Sequence, residues 1–243
     1  MDALDLVLPQ RCAGCDDGDN RLLHGLCPLC ALAFTQPAVR WHKPTPCPVG
    51  MPALTAASSY SGAVRKALLA HKEDGRLVLV VPLGTALAAA VAVAVTPAGP
   101  SPTDVVSQGP LCLVPIPSAR SAVRSRGHDH ALRLARSAAS LLTRAGLPSY
   151  AEAALVPARR VADQSGLDRT ARRRNLTGAL QARPPPAVQG GGSAVVIVDD
   201  VVTTGATLVE AARALGAAGY SVRAAAVVAA TQRRSRPADA AFG

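Results

Sequence analysis

Apolar and polar positions divide sharply in the stretch Ala194 to Leu208, AVVIVDDVVTTGATL. The β-branched run Val195 to Val198 has no polar interruption, which predicts a parallel strand buried on both faces. The run stops at Asp199 and Asp200, two carboxylates at the point where such a strand surfaces. Small and hydroxyl residues follow: Thr203, Thr204, Gly205, Ala206 and Thr207. Next comes a helical pattern with Leu208, Ala211, Ala212 and Leu215 on one face and Gly219 as its stop. The predicted order is strand, acidic pair, small-residue loop, helix.

The same patterning organises the rest of the chain. YSGAVRKALL (60–69) starts an amphipathic helix with Val64, Ala67 and Leu68 on one face, and Leu111 to Ile116 reads as a short buried strand ending in prolines. A helix is predicted from about His128 to Ala145, and a last strand from Val222 to Ala229. Loops rich in Pro, Gly or Ser are expected at 41–52, 96–110 and 182–193, and a polar tail from Thr231. Leu77 to Val95 is uncharged for about the length of a membrane span. It is broken by Pro82 and Gly84 and lacks aromatic or basic anchors, so a buried helix is expected and no membrane span. Strands alternating with helices predict an α/β fold, with a mostly parallel sheet and helices on both faces.

Composition adds that the core is built from Ala, Val and Leu, because hydrophobic residues make up 49% and aromatics only 2%. The net charge of +10 is local. Residues 1–119 hold eight basic and eight acidic side chains, whereas residues 120–174 hold twelve arginines against Asp129, Glu152, Asp163 and Asp168. Arginine suits bidentate phosphate contacts, so a phosphate-rich partner is expected.

Five of the six cysteines lie in residues 1–50. Cys12-Ala-Gly-Cys15 and Cys27-Pro-Leu-Cys30 are two C-x-x-C pairs whose spacing predicts one tetrahedral structural zinc site. Two disulfides are the alternative. The acidic N-terminus MDALDLVLPQ lacks the basic region of a secretory leader, so reduced cysteines and a cytoplasmic setting are expected. The predicted domains are a zinc-binding module at 1–50 and an α/β domain at 51–243. Charge does not make the module a phosphate-binding surface, since Arg11, Arg21, Arg40 and Lys43 face five aspartates there.

The chemistry of Asp199 to Thr207 follows from its parts. A helix N-terminus offers unpaired N–H groups and partial positive charge to a phosphate. Gly205 and Ala206 permit close approach, and the threonine hydroxyls add hydrogen bonds. Ionised Asp199 and Asp200 are acceptors only, suited to a sugar diol or hydrated magnesium. Phosphoribosyl pyrophosphate (PRPP) carries a phosphate, a diol and a magnesium-binding pyrophosphate together. A Walker B reading would need a G-x-x-x-x-G-K-[ST] loop, which the chain lacks. VVIVDDVVTTGATL resembles the PRPP-binding motif of type I phosphoribosyltransferases.

Three further features occur in order with that motif: the two C-x-x-C pairs, LVPIP with RSRGHDHA, and R-x-x-x-x-Q-x-x-L with R-R-R-N. The whole resembles the ComF family, phosphoribosyltransferase-like proteins linked to natural competence and DNA uptake. The resemblance implies that Asp199 and Asp200 face the ribose hydroxyls as the catalytic pair. It implies that Val201 and Val202 belong to the PRPP-binding stretch, that Thr203, Thr204, Gly205, Ala206 and Thr207 hold the 5-phosphate, and that Pro117, Ser118, Ala119 and Arg120 form the pyrophosphate loop. Arg159, Gln164, Arg169 and Arg173 would belong to a flexible loop over the ligand, and magnesium would arrive with PRPP. Two function classes remain open: a transferase moving phosphoribose to an unidentified acceptor, or a non-catalytic factor binding single-stranded DNA beside the DNA-uptake machinery. Relatives commonly read RGFNQ where this chain has Arg126-Gly127-His128-Asp129-His130, and Cys47 has Gly50 where they place a partner cysteine.

Overall fold

A computed structural model describes residues 11–18, 21–96, 109–118, 129–158, 178–185 and 193–231. Among these, six strands form one sheet in the order β1-β2-β8-β7-β3-β4. The strands are β1 (Arg40–Trp41), β2 (Leu54–Ser59), β3 (Leu111–Pro115), β4 (Ser149–Ala151), β7 (Val195–Val202) and β8 (Val222–Ala230). All neighbours run parallel except β1, which pairs antiparallel with β2. A separate antiparallel hairpin joins β5 (Leu155–Pro157) to β6 (Leu180–Ala182).

The helices are α1 (Pro28–Thr35), α2 (Gly62–Lys72), α3 (Val80–Val95), α4 (His130–Arg144) and α5 (Ala206–Ala217). Alternation along β7 assigns them to the two faces. Val196 and Val198 point into a core shared with α2, α3, α4 and the cysteine module, through Cys12, Leu26 and Phe34. Val195 and Ile197 point the other way, into a core with Leu208, Ala211 and Leu215 of α5 and with Leu155 and Leu180 of the hairpin; Val202, past the acidic pair and out of that alternation, joins the same core. The expected α/β architecture, mostly parallel with helices on both faces, is the observed one.

Leu77–Val95 is long and apolar enough to cross a membrane by length and composition. Within the fold, its first turn is a 3-10 turn (Leu77–Leu79) and the rest is α3, which packs against β2, β8 and α4. Pro82 is accommodated because it lies in the first turn of α3, where the N–H that proline lacks would have no acceptor within the helix.

Two expectations are revised. The central strand does not end at the acidic pair. It continues to Val202 because β8 runs on to Ala230 and supplies partners, Asp199 to Val227 and Val201 to Ala229. The proline-rich stretch at 41–52 is more than a spacer: its start forms β1, and Pro44 and Met51 pack where α5 begins. The expected loop at 97–108 and the tail beyond Thr231 lie outside the described residues.

Candidate functional site

The chain connections diverge between β3 and β7. From β3 the chain passes through α4 to β4 on one side, and from β7 through α5 to β8 on the other, with the two helices on opposite faces. Open α/β sheets bind ligands at such a switch point, outside the carboxyl ends of the strands. Ile116 donates its N–H to the Val198 carbonyl at 3.0 Å, so Pro117 and Ser118 leave β3 directly beside the acidic pair of β7. The crevice therefore brings together Pro117, Ser118 and the stretch Asp199 to Thr207.

Asp199 and Asp200 are held by their own backbone. Asp199 Oδ1 accepts the Asp200 N–H at 2.8 Å, and Asp200 Oδ1 accepts the Val201 N–H at 2.7 Å. Asp200 is only 8% exposed, and its Oδ2 lies 3.2 Å from Lys72 Nζ at the end of α2. Burial, and then the neighbouring charge of Asp200, pushes the Asp199 carboxyl well above the usual aspartate range; Lys72 offsets only part of this. Burial works against the Lys72 ammonium, but Asp200, Asp199 and Glu73 together raise its pKa. Hard carboxylate oxygens at the carboxyl end of the sheet fit a hydrated magnesium or a sugar diol.

Beyond the pair, Gly205 caps α5 with φ +76°, a conformation glycine adopts without steric cost. A Cβ at Gly205 would stand 2.8 Å from Met51 Sδ and 3.3 Å from Pro44 Cγ, so glycine is required on both counts. The first-turn N–H groups of α5 have no intrahelical acceptor and face the crevice end of the helix. Across it, Asp129 caps α4: its Oδ1 accepts the Leu132 N–H at 3.1 Å and the Ser118 hydroxyl at 3.0 Å. Asp129 thus ties the end of the β3 loop to a second helix N-terminus.

Behind α5, Glu210 is 5% exposed and bound in bidentate fashion by Arg213, at 2.8 Å to each oxygen. Glu210 Oε1 accepts the Leu180 N–H at 3.1 Å, and Arg213 donates to the Leu180 carbonyl at 3.1 Å. The pair reads both backbone groups of one β6 residue and so fastens the hairpin to α5.

The cysteines form the second candidate centre. The Sγ atoms of Cys12, Cys15, Cys27 and Cys30 all lie within 4.8 Å of one another, with Cys15 and Cys27 at 3.7 Å. A tetrahedral zinc with bonds of about 2.3 Å separates its sulfurs by about 3.8 Å, so the set fits zinc. The N–H groups of Gly14 and Cys27 point at Cys12 Sγ at 3.3 and 3.2 Å. Burial opposes ionisation of Cys12, but the backbone N–H groups of Cys27, Cys15 and Gly14 bring its thiol down to about 6. A Cβ at Gly14 would come within 2.6 Å of Cys30 Sγ, which is why the first knuckle needs glycine. Cys112, by contrast, is core, pushed up to about 12 by burial.

Of the residues singled out from sequence, Ala119, Arg120, Arg159, Gln164, Arg169 and Arg173 lie outside the described residues. Pro117, Ser118 and the stretch Asp199 to Thr207 lie at the adjacent, paired ends of β3 and β7, and the four cysteines cluster at another point. Lys72, Asp129, Met51 and Glu210 escaped the sequence reading as site residues. The amphipathic pattern of α2 carried no local sign that Lys72 reaches a residue 128 positions away.

Residues 134–242 match the family model described as a phosphoribosyl transferase domain. The matched segment contains β7, its acidic pair and the Thr203 to Thr207 loop, and so places a phosphoribosyltransferase-like domain in the C-terminal part of the chain. None of the curated proteins compared matches the chain.

Proposed function

We propose that the chain binds PRPP with magnesium in the β3–β7 crevice and transfers its phosphoribose to an acceptor. The observation that carries this reading is the position of Asp199 to Thr207 at the switch point of the sheet, inside the segment that matches the phosphoribosyl transferase domain. In this reading Asp199 and Asp200 accept hydrogen bonds from the ribose hydroxyls. The N–H groups and hydroxyls of Thr203 to Thr207 hold the 5-phosphate at the start of α5. Pro117, Ser118, Ala119 and Arg120 surround the pyrophosphate, and Arg159, Gln164, Arg169 and Arg173 approach it from a loop. Magnesium supplies charge neutralisation on the pyrophosphate when bound. The acceptor forms a bond to the ribose C1 while the C1–oxygen bond to pyrophosphate breaks, and the acceptor loses a proton. The protein's part is to orient the two reactants and to spread the departing negative charge over arginines.

The order of motifs supports placement in the ComF family, with a structural zinc in residues 1–50, a transferase domain in 51–243 and a cytoplasmic setting. A second reading, single-stranded DNA binding in DNA uptake, draws on the excess of arginine over residues 120–174. The two separate in a pyrophosphate-release assay with PRPP, magnesium and a panel of bases and amines. Release with one acceptor, lost in Asp200→Asn, supports the transferase; no release with any acceptor, in protein that binds single-stranded DNA, favours the second reading.

A further inference from the structure

Lys72 stands outside the segment that matches the phosphoribosyl transferase domain, yet its ammonium lies 3.2 Å from Asp200 Oδ2. The contact follows from the path of the chain. α2 leaves the carboxyl end of β2 and ends at Lys72, and α3 then returns along the sheet. The last turn of α2 is thereby brought to the acidic pair. Asp200 Oδ1 already accepts the Val201 N–H, so Lys72 occupies the remaining oxygen. A sugar hydroxyl or a divalent cation approaching Oδ2 would compete with Lys72 for it.

The two partners differ in how freely they can move. The Asp200 side chain is 11% exposed and fixed by β7, whereas the Lys72 side chain is 41% exposed. A four-carbon stem lets the ammonium swing away without any backbone change. A half-exposed lysine contributes little to stability through an ion pair. Its effect on a buried carboxylate is larger, because two adjacent aspartates without a cation repel each other in a site of reduced dielectric. The chain supplies that cation itself.

We propose that Lys72 is the built-in counter-ion of the Asp199–Asp200 pair: it keeps divalent cations off the pair in the ligand-free protein and yields Asp200 Oδ2 to the hydroxyls of an arriving ligand. Lys72 is in this sense a positioning residue. The identity of that ligand rests on the PRPP reading; the counter-ion role does not.

The test is a titration of the zinc-loaded full chain with Mn²⁺ alone, read by water-proton relaxation. Lys72→Met should bind Mn²⁺ about tenfold more tightly than the wild type, a modest fraction of the attraction between unit charges at such distances. Lys72→Arg should behave as wild type, and Lys72→Met combined with Asp200→Asn should lose the gain. If Lys72→Met does not fold, Lys72→Gln carries the same expectation. Unchanged Mn²⁺ affinity in a folded, uncharged variant overturns the proposal. PRPP titrations on the same proteins separate the two ideas. Wild-type PRPP binding without any Mn²⁺ gain removes the counter-ion role alone, and a Mn²⁺ gain without PRPP binding upholds the role and removes PRPP as the ligand.

Discussion

Replacing Gly205 by alanine perturbs the turn that opens α5 in two separable ways. The backbone there has φ +76°, and an L-residue in that region costs about 1–2 kcal/mol. The added Cβ would also stand 2.8 Å from Met51 Sδ and 3.0 Å from its Cε, closer than carbon approaches either atom. Overpacking of this kind costs about 1–3 kcal/mol, with the lower end expected because methionine adapts its shape. Gly205→Ala should therefore destabilise the protein by about 2–4 kcal/mol in urea unfolding, with an unchanged dependence on denaturant. Gly219→Ala isolates the backbone part, since Gly219 has φ +93° and a Cβ added there would meet nothing within 4 Å. In a double-mutant cycle, Met51→Ala should relieve about 1–2 kcal/mol of the Gly205→Ala penalty. A coupling below about 0.5 kcal/mol would show that Met51 does not press on the turn, and the 44–51 segment could then not be a wall of this site.

Three further outcomes are expected. Metal analysis of the zinc-loaded protein should give one zinc per chain, and Cys12→Ser should lose it together with thermal stability; a Cys12–Cys15 disulfide in anaerobically purified protein would contradict this. Asp199 has a folded pKa above its unfolded value of about 3.9, so its contribution is present below that pH and lost as pH rises through the raised folded pKa. Asp199→Asn should accordingly melt at a higher temperature than wild type at pH 8, with the gap closing towards pH 4; a lower melting temperature at pH 8 would refute the sign. Replacing Arg172, Arg173 and Arg174 by alanine should weaken PRPP binding in calorimetry. Any single-stranded DNA binding should fall steeply with salt, at a slope of about −0.7 per phosphate contacted, and retention of DNA affinity by this variant would refute the charge argument.

What could be read from sequence was local. A parallel strand buried on both faces writes itself as a contiguous run, so β7 and the loop into α5 were legible in Val195 to Thr207. The four-cysteine cluster was legible because each C-x-x-C pair sits within one turn. The end of β7 was not, because Val201 and Val202 are strand only by virtue of Ala229 and Ala230 opposite them. β1, β4, β5 and β6 have two or three residues each, too few to show a period. Glu210 and Arg213 look like a solvated i,i+3 pair in sequence, and only the placement of Leu180 turns Glu210 into a buried anchor. Lys72 looks like the polar end of an amphipathic helix; its partner is set by the path of α2 over the sheet.

The central claim is that the crevice between β3 and β7 is a PRPP site, and calorimetric titration of the zinc-loaded chain with PRPP and magnesium addresses it most directly. Saturable one-site binding by the wild type is expected, with a clear loss of affinity in Asp200→Asn while the fold is retained. Absence of heat with folded wild-type protein, or undiminished affinity in Asp200→Asn, would contradict it.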